Sequence, residues 1–176
     1  DEIVWWIKAA EAGNAEAQCE LAKRYSNGTG VDENSEEAIK WGLKAAEQGH
    51  VQAQFEIMVC YYDGIGVEQN YELAAKWCLE AAKQGMAEAQ NVLGMLYWDG
   101  NGVEQSYEEA NKWFLIAAEQ GNGEAQYNIA SSYLEGVGIE KNRDKSIEWL
   151  QKAVEQGHDD AKELLDWINI EEFIEE

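Results

Sequence analysis

The chain contains few residues of the kind that do bond-making chemistry, and their spacing decides what they can do. Its only histidines are His50 and His158. They occupy the same place in a repeating pattern, three units apart. If each unit advances by about 10 Å, one helix-packing distance, the two imidazoles lie about 30 Å apart and cannot share a metal ion or a proton. Three cysteines, Cys19, Cys60 and Cys78, form an odd set without metal-ligand spacing. They read as free, partly buried thiols rather than a secreted disulfide framework. A Cys60–Cys78 bridge within one unit has no counterpart in the other units. Gly-x-Gly pairs could cradle a phosphate, but these lack a following Lys-Ser/Thr and sit beside acids. Carboxylates are too many to single out an acid–base pair. No nucleophile–base constellation stands out, so we expect no catalysis, no metal and no cofactor.

Composition narrows the partner. The 176 residues hold 13 Lys+Arg against 35 Asp+Glu, a formal charge of −22. A nucleic-acid ligand or an anionic membrane surface needs clustered cations that this chain lacks. The apolar runs are too short to span a bilayer. Hydrophobic residues at 45% and aromatics at 11% argue for a packed domain rather than disorder. Proline is absent. A protein partner is the remaining class.

The elements that position any site follow from a 36-residue period. Gly13, Gly49, Gly85, Gly121 and Gly157 keep that step, as do Trp5, Trp41, Trp77, Trp113 and Trp149, and Tyr25, Tyr61, Tyr97 and Tyr133. Two further glycine columns pass through Gly28 and Gly30. Each unit holds two helices. Ala17, Leu21 and Tyr25 share one face of the first, and Ala38, Trp41, Ala45 and Ala46 mark a stripe on the second. Asn34, Asn70, Ser106 and Asn142 stand where the second helix needs an N-cap, and Gly49 and its equivalents where a left-handed residue ends it. A helix pair this small must stack on its neighbours to bury its apolar stripe, which predicts an all-α solenoid. The expected division is one solenoid domain over 1–176. A partial repeat at 1–12 precedes full repeats at 13–48, 49–84, 85–120 and 121–156, and 157–176 forms a terminal capping helix and acidic tail. The chain opens inside a unit, which reads as a processing boundary.

The string Ala-Gln-x-x-Leu-Gly-x-x-Tyr-x-x-Gly-x-Gly-Val, best seen from Ala89 to Val103, joins Ala-Ala-x-Gln-Gly at Ala81–Gly85. Together they resemble the Sel-one-like repeat family, a relative of tetratricopeptide repeats. The resemblance runs to about Leu165. Where the family often has Pro after Gly-x-Gly-Val, this chain has Asp32, Glu68, Glu104 and Glu140. The resemblance implies a right-handed α/α superhelix that acts as an adaptor in protein complexes and has no catalysis of its own.

Columns that hold their identity pack the scaffold; columns that vary are free for recognition. On the first helix Ala17, Leu21 and Tyr25 span roughly 0–80°, and the opposite stripe at about 180–240° changes from unit to unit yet is rich in aromatics and Met. In related solenoids the first helices line the concave surface. Phe55, Val59, Tyr62, Met95, Trp98, Tyr127 and Leu134 are therefore the expected partner contacts, with Asp63 and Asp99 on an acidic rim that favours a basic or amphipathic helix or peptide. The chain is expected to be monomeric or part of a hetero-complex, and a cytoplasmic location is favoured over a secreted or periplasmic one. Two other readings compete: a hydrolase-like enzyme of the cysteine-rich secreted relatives, and an acidic nucleic-acid mimic that binds a basic protein.

Overall fold

A computed structural model describes the backbone of residues 2–175 and the side chains of residues 2–170. The described residues form ten α-helices and no strand: α1 (Glu2–Glu11), α2 (Ala15–Asn27), α3 (Ser35–Glu47), α4 (Val51–Asp63), α5 (Tyr71–Lys83), α6 (Ala87–Asp99), α7 (Tyr107–Glu119), α8 (Gly123–Glu135), α9 (Arg143–Glu155) and α10 (Asp159–Glu175). Helices α2–α3, α4–α5, α6–α7 and α8–α9 are successive antiparallel hairpins of one design. They group into two compact units, one holding α1–α5 with residues 101–103 and the other α6–α10 without them. The side chains of the tail residues 171–176 lie outside the described residues.

Each hairpin is built by the same local rules. Asn34, Asn70, Ser106 and Asn142 cap the second helices, each side-chain oxygen accepting the N–H three residues on. The N–H of the same four residues donates back across the loop to the carbonyl of Tyr25, Tyr61, Tyr97 and Tyr133, at 2.8 to 2.9 Å. The loop is thereby tied at both ends, and the second helix starts where the last turn of the first dictates. Gly64 ends α4 with φ +74°, a left-handed conformation that an L side chain resists.

The second glycines Gly66, Gly102 and Gly138 also lie close against the first turn of an earlier second helix. A Cβ on Gly102 would fall 1.9 Å from the Tyr71 carbonyl oxygen. The loop backbone here lies directly on the first turn of α5, and only glycine permits that approach.

What joins hairpin to hairpin is a column of buried glutamines. Gln18, Gln54, Gln90 and Gln126 are each 4–5% exposed. The Gln54 amide Nε2 donates to the Ala46 carbonyl of α3 at 3.1 Å, while its Oε1 accepts from Gln84 Nε2 at 2.7 Å, just past the end of α5. Gln18 does the same with Ala10 and Gln48, and Gln126 with Ala118 and Gln156. Each of these three amides therefore pins three consecutive helices. Around it the alanines Ala45, Ala46, Ala81, Ala82, Ala117 and Ala118 are at most 2% exposed, letting the helices approach closely.

Replacing Gln54 with the similarly shaped Met removes both of its hydrogen bonds, leaving the Ala46 carbonyl only its turn bonds from backbone N–H groups and Gln84 Nε2 only the Gly49 carbonyl. Urea unfolding should show Gln54→Met less stable by about 1–3 kcal/mol, with an unchanged far-ultraviolet spectrum.

Candidate functional site

The first helices α2, α4, α6 and α8 each bury the face through Ala17, Leu21 and Tyr25 or its equivalents; Ala17, Ala53, Ala89 and Ala125 are at most 1% exposed. The opposite stripe does not simply face solvent. Cys19 and Asn91 on it are buried, 2% and 7% exposed, because the neighbouring hairpin packs there as well. The open surface is confined to the residues between.

In the first unit that surface has a cavity of about 430 Å³ among α2, α3 and α4. Phe55 and Val59 line one wall, with Ile57 and Cys60 of the same helix. Ala22 and Ser26 of α2 and Ala38, Ile39 and Gly42 of α3 form the other sides, and Ile65 of the next loop closes one end. The mouth carries the Lys23–Glu56 ion pair at 3.4 Å. Partial burial works against the Lys23 charge, but Glu56, Cys19 and Glu20 outweigh it and hold the ammonium above its ordinary pKa. The walls are mainly aliphatic and aromatic, so the cavity suits an apolar group.

The remaining expected contacts are distributed over both units. Tyr62 is half-buried, its ring edge-on to Tyr71 with centroids 5.2 Å apart, and Asp63 is exposed at the end of α4. In the second unit Met95 is 47% exposed and Asp99 is exposed beyond it. Trp98 is half-buried, against Tyr107 at 4.7 Å and Phe114 at 6.3 Å. Tyr127 stacks on His158 at 4.9 Å, and both Tyr127 and Leu134 lean on the cluster of Ala130, Leu150, Ala153, Ala161 and Ile168. The structure thus gathers Phe55 and Val59 into one cavity and sets Trp98, Tyr127 and Leu134 against packed cores. Sequence reasoning passed over Ala22, Gly42 and Ser26 as site residues, though the small size of Ser26 and Gly42 in columns that hold Trp98 and Leu134, and Phe114 and Leu150, was readable.

The residues with chemical potential have structural work. His50 and His158 are N-caps of α4 and α10, each Nδ1 accepting a backbone N–H, from Ala53 and Ala161, at 3.2 Å. Asn14 and Asn122 do the same for α2 and α8. With Nδ1 accepting, the ring proton sits on Nε2, which in His50 faces Glu16 at 2.9 Å. Among the described residues no group of three His, Cys, Asp or Glu side chains could hold a metal ion. Cys19 and Cys60 are free thiols, so the Cys60–Cys78 bridge is not formed. Burial, reinforced by Glu56, pushes the Cys19 thiol up to about 11, and burial alone pushes Cys78 up to about 12. Burial also raises Cys60, helped by Glu56 and Asp63. Such thiols are poor nucleophiles at neutral pH.

Comparison with known proteins agrees with this architecture. The Sel1 repeat model matches residues 3–14, 15–50, 51–86, 87–122 and 123–158. A crystal structure of a protective antigen present in uropathogenic Escherichia coli strains, displaying an SLR fold, is 39% identical with a TM-score of 0.84; the match covers 87% of this chain and 33% of that one. A Sel1 repeat protein from Oxalobacter formigenes is 36% identical with a TM-score of 0.85, over 94% of this chain and 48% of its own. The chain therefore spans a third to a half of the length of these two. An immunity protein from Pseudomonas aeruginosa is 26% identical with a TM-score of 0.54, over 89% of this chain and 58% of that one. No curated protein matches the chain.

The raised thiols set a direction for alkaline stability. Above pH 9 the unfolded chain releases thiol protons that the folded chain keeps, so the unfolded state binds fewer protons and stability falls as pH rises towards 11–12. Denaturant titrations at pH 8 and pH 10.5 should show this loss. It should shrink in the Cys19→Ala/Cys78→Ala variant relative to its own pH 8 value.

Proposed function

The chain belongs to the Sel1 repeat family, and from that premise we propose that it is a non-enzymatic adaptor that holds a basic or amphipathic partner segment on the face lined by its first helices. Sel1 repeat proteins are typically protein-interaction scaffolds and generally non-catalytic, and the fold points to protein partners. Among the described residues no helix is long and apolar enough to cross a membrane.

One observation carries the finer reading. The core columns repeat almost unchanged, yet the first-helix face of the α1–α5 unit keeps an apolar cavity of about 430 Å³ open to solvent. A packed interior normally closes such a space, and an apolar recess rimmed by polar groups is what an interface anchor requires. Phe55 and Val59 would touch the partner inside it. Tyr62, and in the second unit Met95, add partly exposed apolar surface on first helices. The exposed Asp63 and Asp99 supply the charge that speeds association with a basic segment. Trp98, Tyr127 and Leu134 would contribute mainly the outer edges of side chains already committed to packing.

Capture of protein partners from the native host by wild type and by a Phe55→Ser/Val59→Ser variant tests this. The variant should lose capture at least tenfold while helicity stays intact, since both positions are half-buried rather than core. Trp98→Ala, by contrast, should lower the melting temperature. Capture that survives the Phe55/Val59 change but collapses with added salt would contradict the reading and favour acidic mimicry.

A further inference from the structure

The cavity exists because one hairpin omits side chains that its copies supply. Ser26 on α2 and Gly42 on α3 line it. One repeat pair later, at +72, the same two positions are Trp98 and Phe114, whose rings lie 6.3 Å apart within a packed cluster. In the last hairpin they are Leu134 and Leu150, and Leu150 is fully buried. Ser35 is the repeat counterpart of Tyr107, which meets the Trp98 indole at 4.7 Å. The neighbouring position compensates in the filled hairpin: a Cβ on Gly94 would fall 2.5 Å from the Phe114 ring, so Gly94 makes the room that Phe114 takes. In the first hairpin that position is Ala22; a Cβ on Gly42 would lie 3.8 Å from the Ala22 Cβ and 2.9 Å from Ile57 Cδ1, so the Ile57 side chain takes part of the room beside Gly42. The first hairpin therefore lacks the aromatic filling of the third, and Ile57 takes only part of its place.

We propose that this cavity is the seat of a tryptophan side chain presented by a basic partner peptide, which occupies in trans the place that Trp98 occupies in cis. The proposal rests on the adaptor reading and names its anchor. Shape argues for the indole, because the repeat shows which side chain the same frame accommodates. A tryptophan buries roughly 150–250 Å² and is favoured among interface hot spots. Charge argues for basic flanks: the chain carries −22, and Asp63 at the end of α4 is exposed. At the mouth, Glu56 engages both Lys23, at 3.4 Å, and Gln52 Nε2, at 3.2 Å, while Asn27 Oδ1 accepts the Thr29 N–H. This leaves the Gln52 carbonyl oxygen and the Asn27 amide N–H groups to bond the peptide backbone. A phosphate or carboxylate ligand has no such welcome among these side chains.

The probe is the peptide Lys-Lys-Ala-Trp-Ala-Lys-Lys beside its counterpart with alanine in place of tryptophan, titrated into the full chain by calorimetry and by amide chemical shifts. We expect the tryptophan peptide to bind at least tenfold more tightly, with shifts centred on α2, α3 and α4. Ser26→Trp, which copies the third hairpin at an exposed position, should remove that preference while leaving residual binding of the alanine peptide. Ser26→Leu, copying the fourth hairpin, should do the same, so a folding failure in one variant does not leave the question open. Equal binding of the two peptides by wild type, or a preference that persists in both filled variants, overturns the proposal. If equal binding is found while Phe55→Ser/Val59→Ser still loses partner capture, the anchor is wrong and the adaptor reading stands.

Discussion

A primary amide taken out of water must find both a carbonyl to donate to and a donor to accept from, or it costs more than an apolar group of the same shape. The architecture depends on that requirement. Gln54 meets it only if the end of α3 lies under its Nε2 and Gln84 at the end of α5 lies against its Oε1. A slip of one residue in α4 would break both bonds, and a slip in α3 or α5 would break one of them. The alanine pairs flanking each amide supply closeness but little direction, since small apolar surfaces slide over one another. The buried glutamines supply the register. The glycines follow from it: each helix must end at a set residue for its last carbonyls and its glutamine to fall in place, and a left-handed glycine ends it there.

With register fixed, the hairpins can vary in volume without varying in shape. The position through Ala22, Gly94 and Ala130 and the position through Gly42, Phe114 and Leu150 face each other within their hairpins. Gly94 with Phe114, and Ala130 with Leu150, combine small and large so that the space is filled. Ala22 with Gly42 combines small with small. The resulting void is a property of two columns together, and no single residue announces it.

Much of this was legible in the sequence. The period, the helix pairs, the capping residues and the left-handed glycines all depend on local chemistry within a few residues, and all appear in the structure. The buried glutamine column was visible as a recurrence, but its role was not, because Gln54 finds its partner Gln84 thirty residues away. The close approach of Gly102 to Tyr71 was hidden for the same reason. Met95 lies exposed on the face that the helical wheel assigns, whereas Trp98, Tyr127 and Leu134 lean on packed clusters. A wheel distinguishes the two sides of one helix, whereas each first helix here has neighbours on more than one side. Cys19 and Asn91 are buried on that account. The cavity could have been found by comparing column volumes across hairpins rather than residue identities.

The claim beneath these conclusions is that the hairpins share one frame and differ in how completely they fill it. Denaturant unfolding of the Ala22→Gly/Ser26→Trp/Ser35→Tyr/Gly42→Phe variant, which carries the third hairpin's filling into the first, measures it directly. The account predicts unchanged helicity and an unfolding midpoint above that of wild type. A lower midpoint, or loss of helical signal, would mean that the frames are not interchangeable and that the void has another origin.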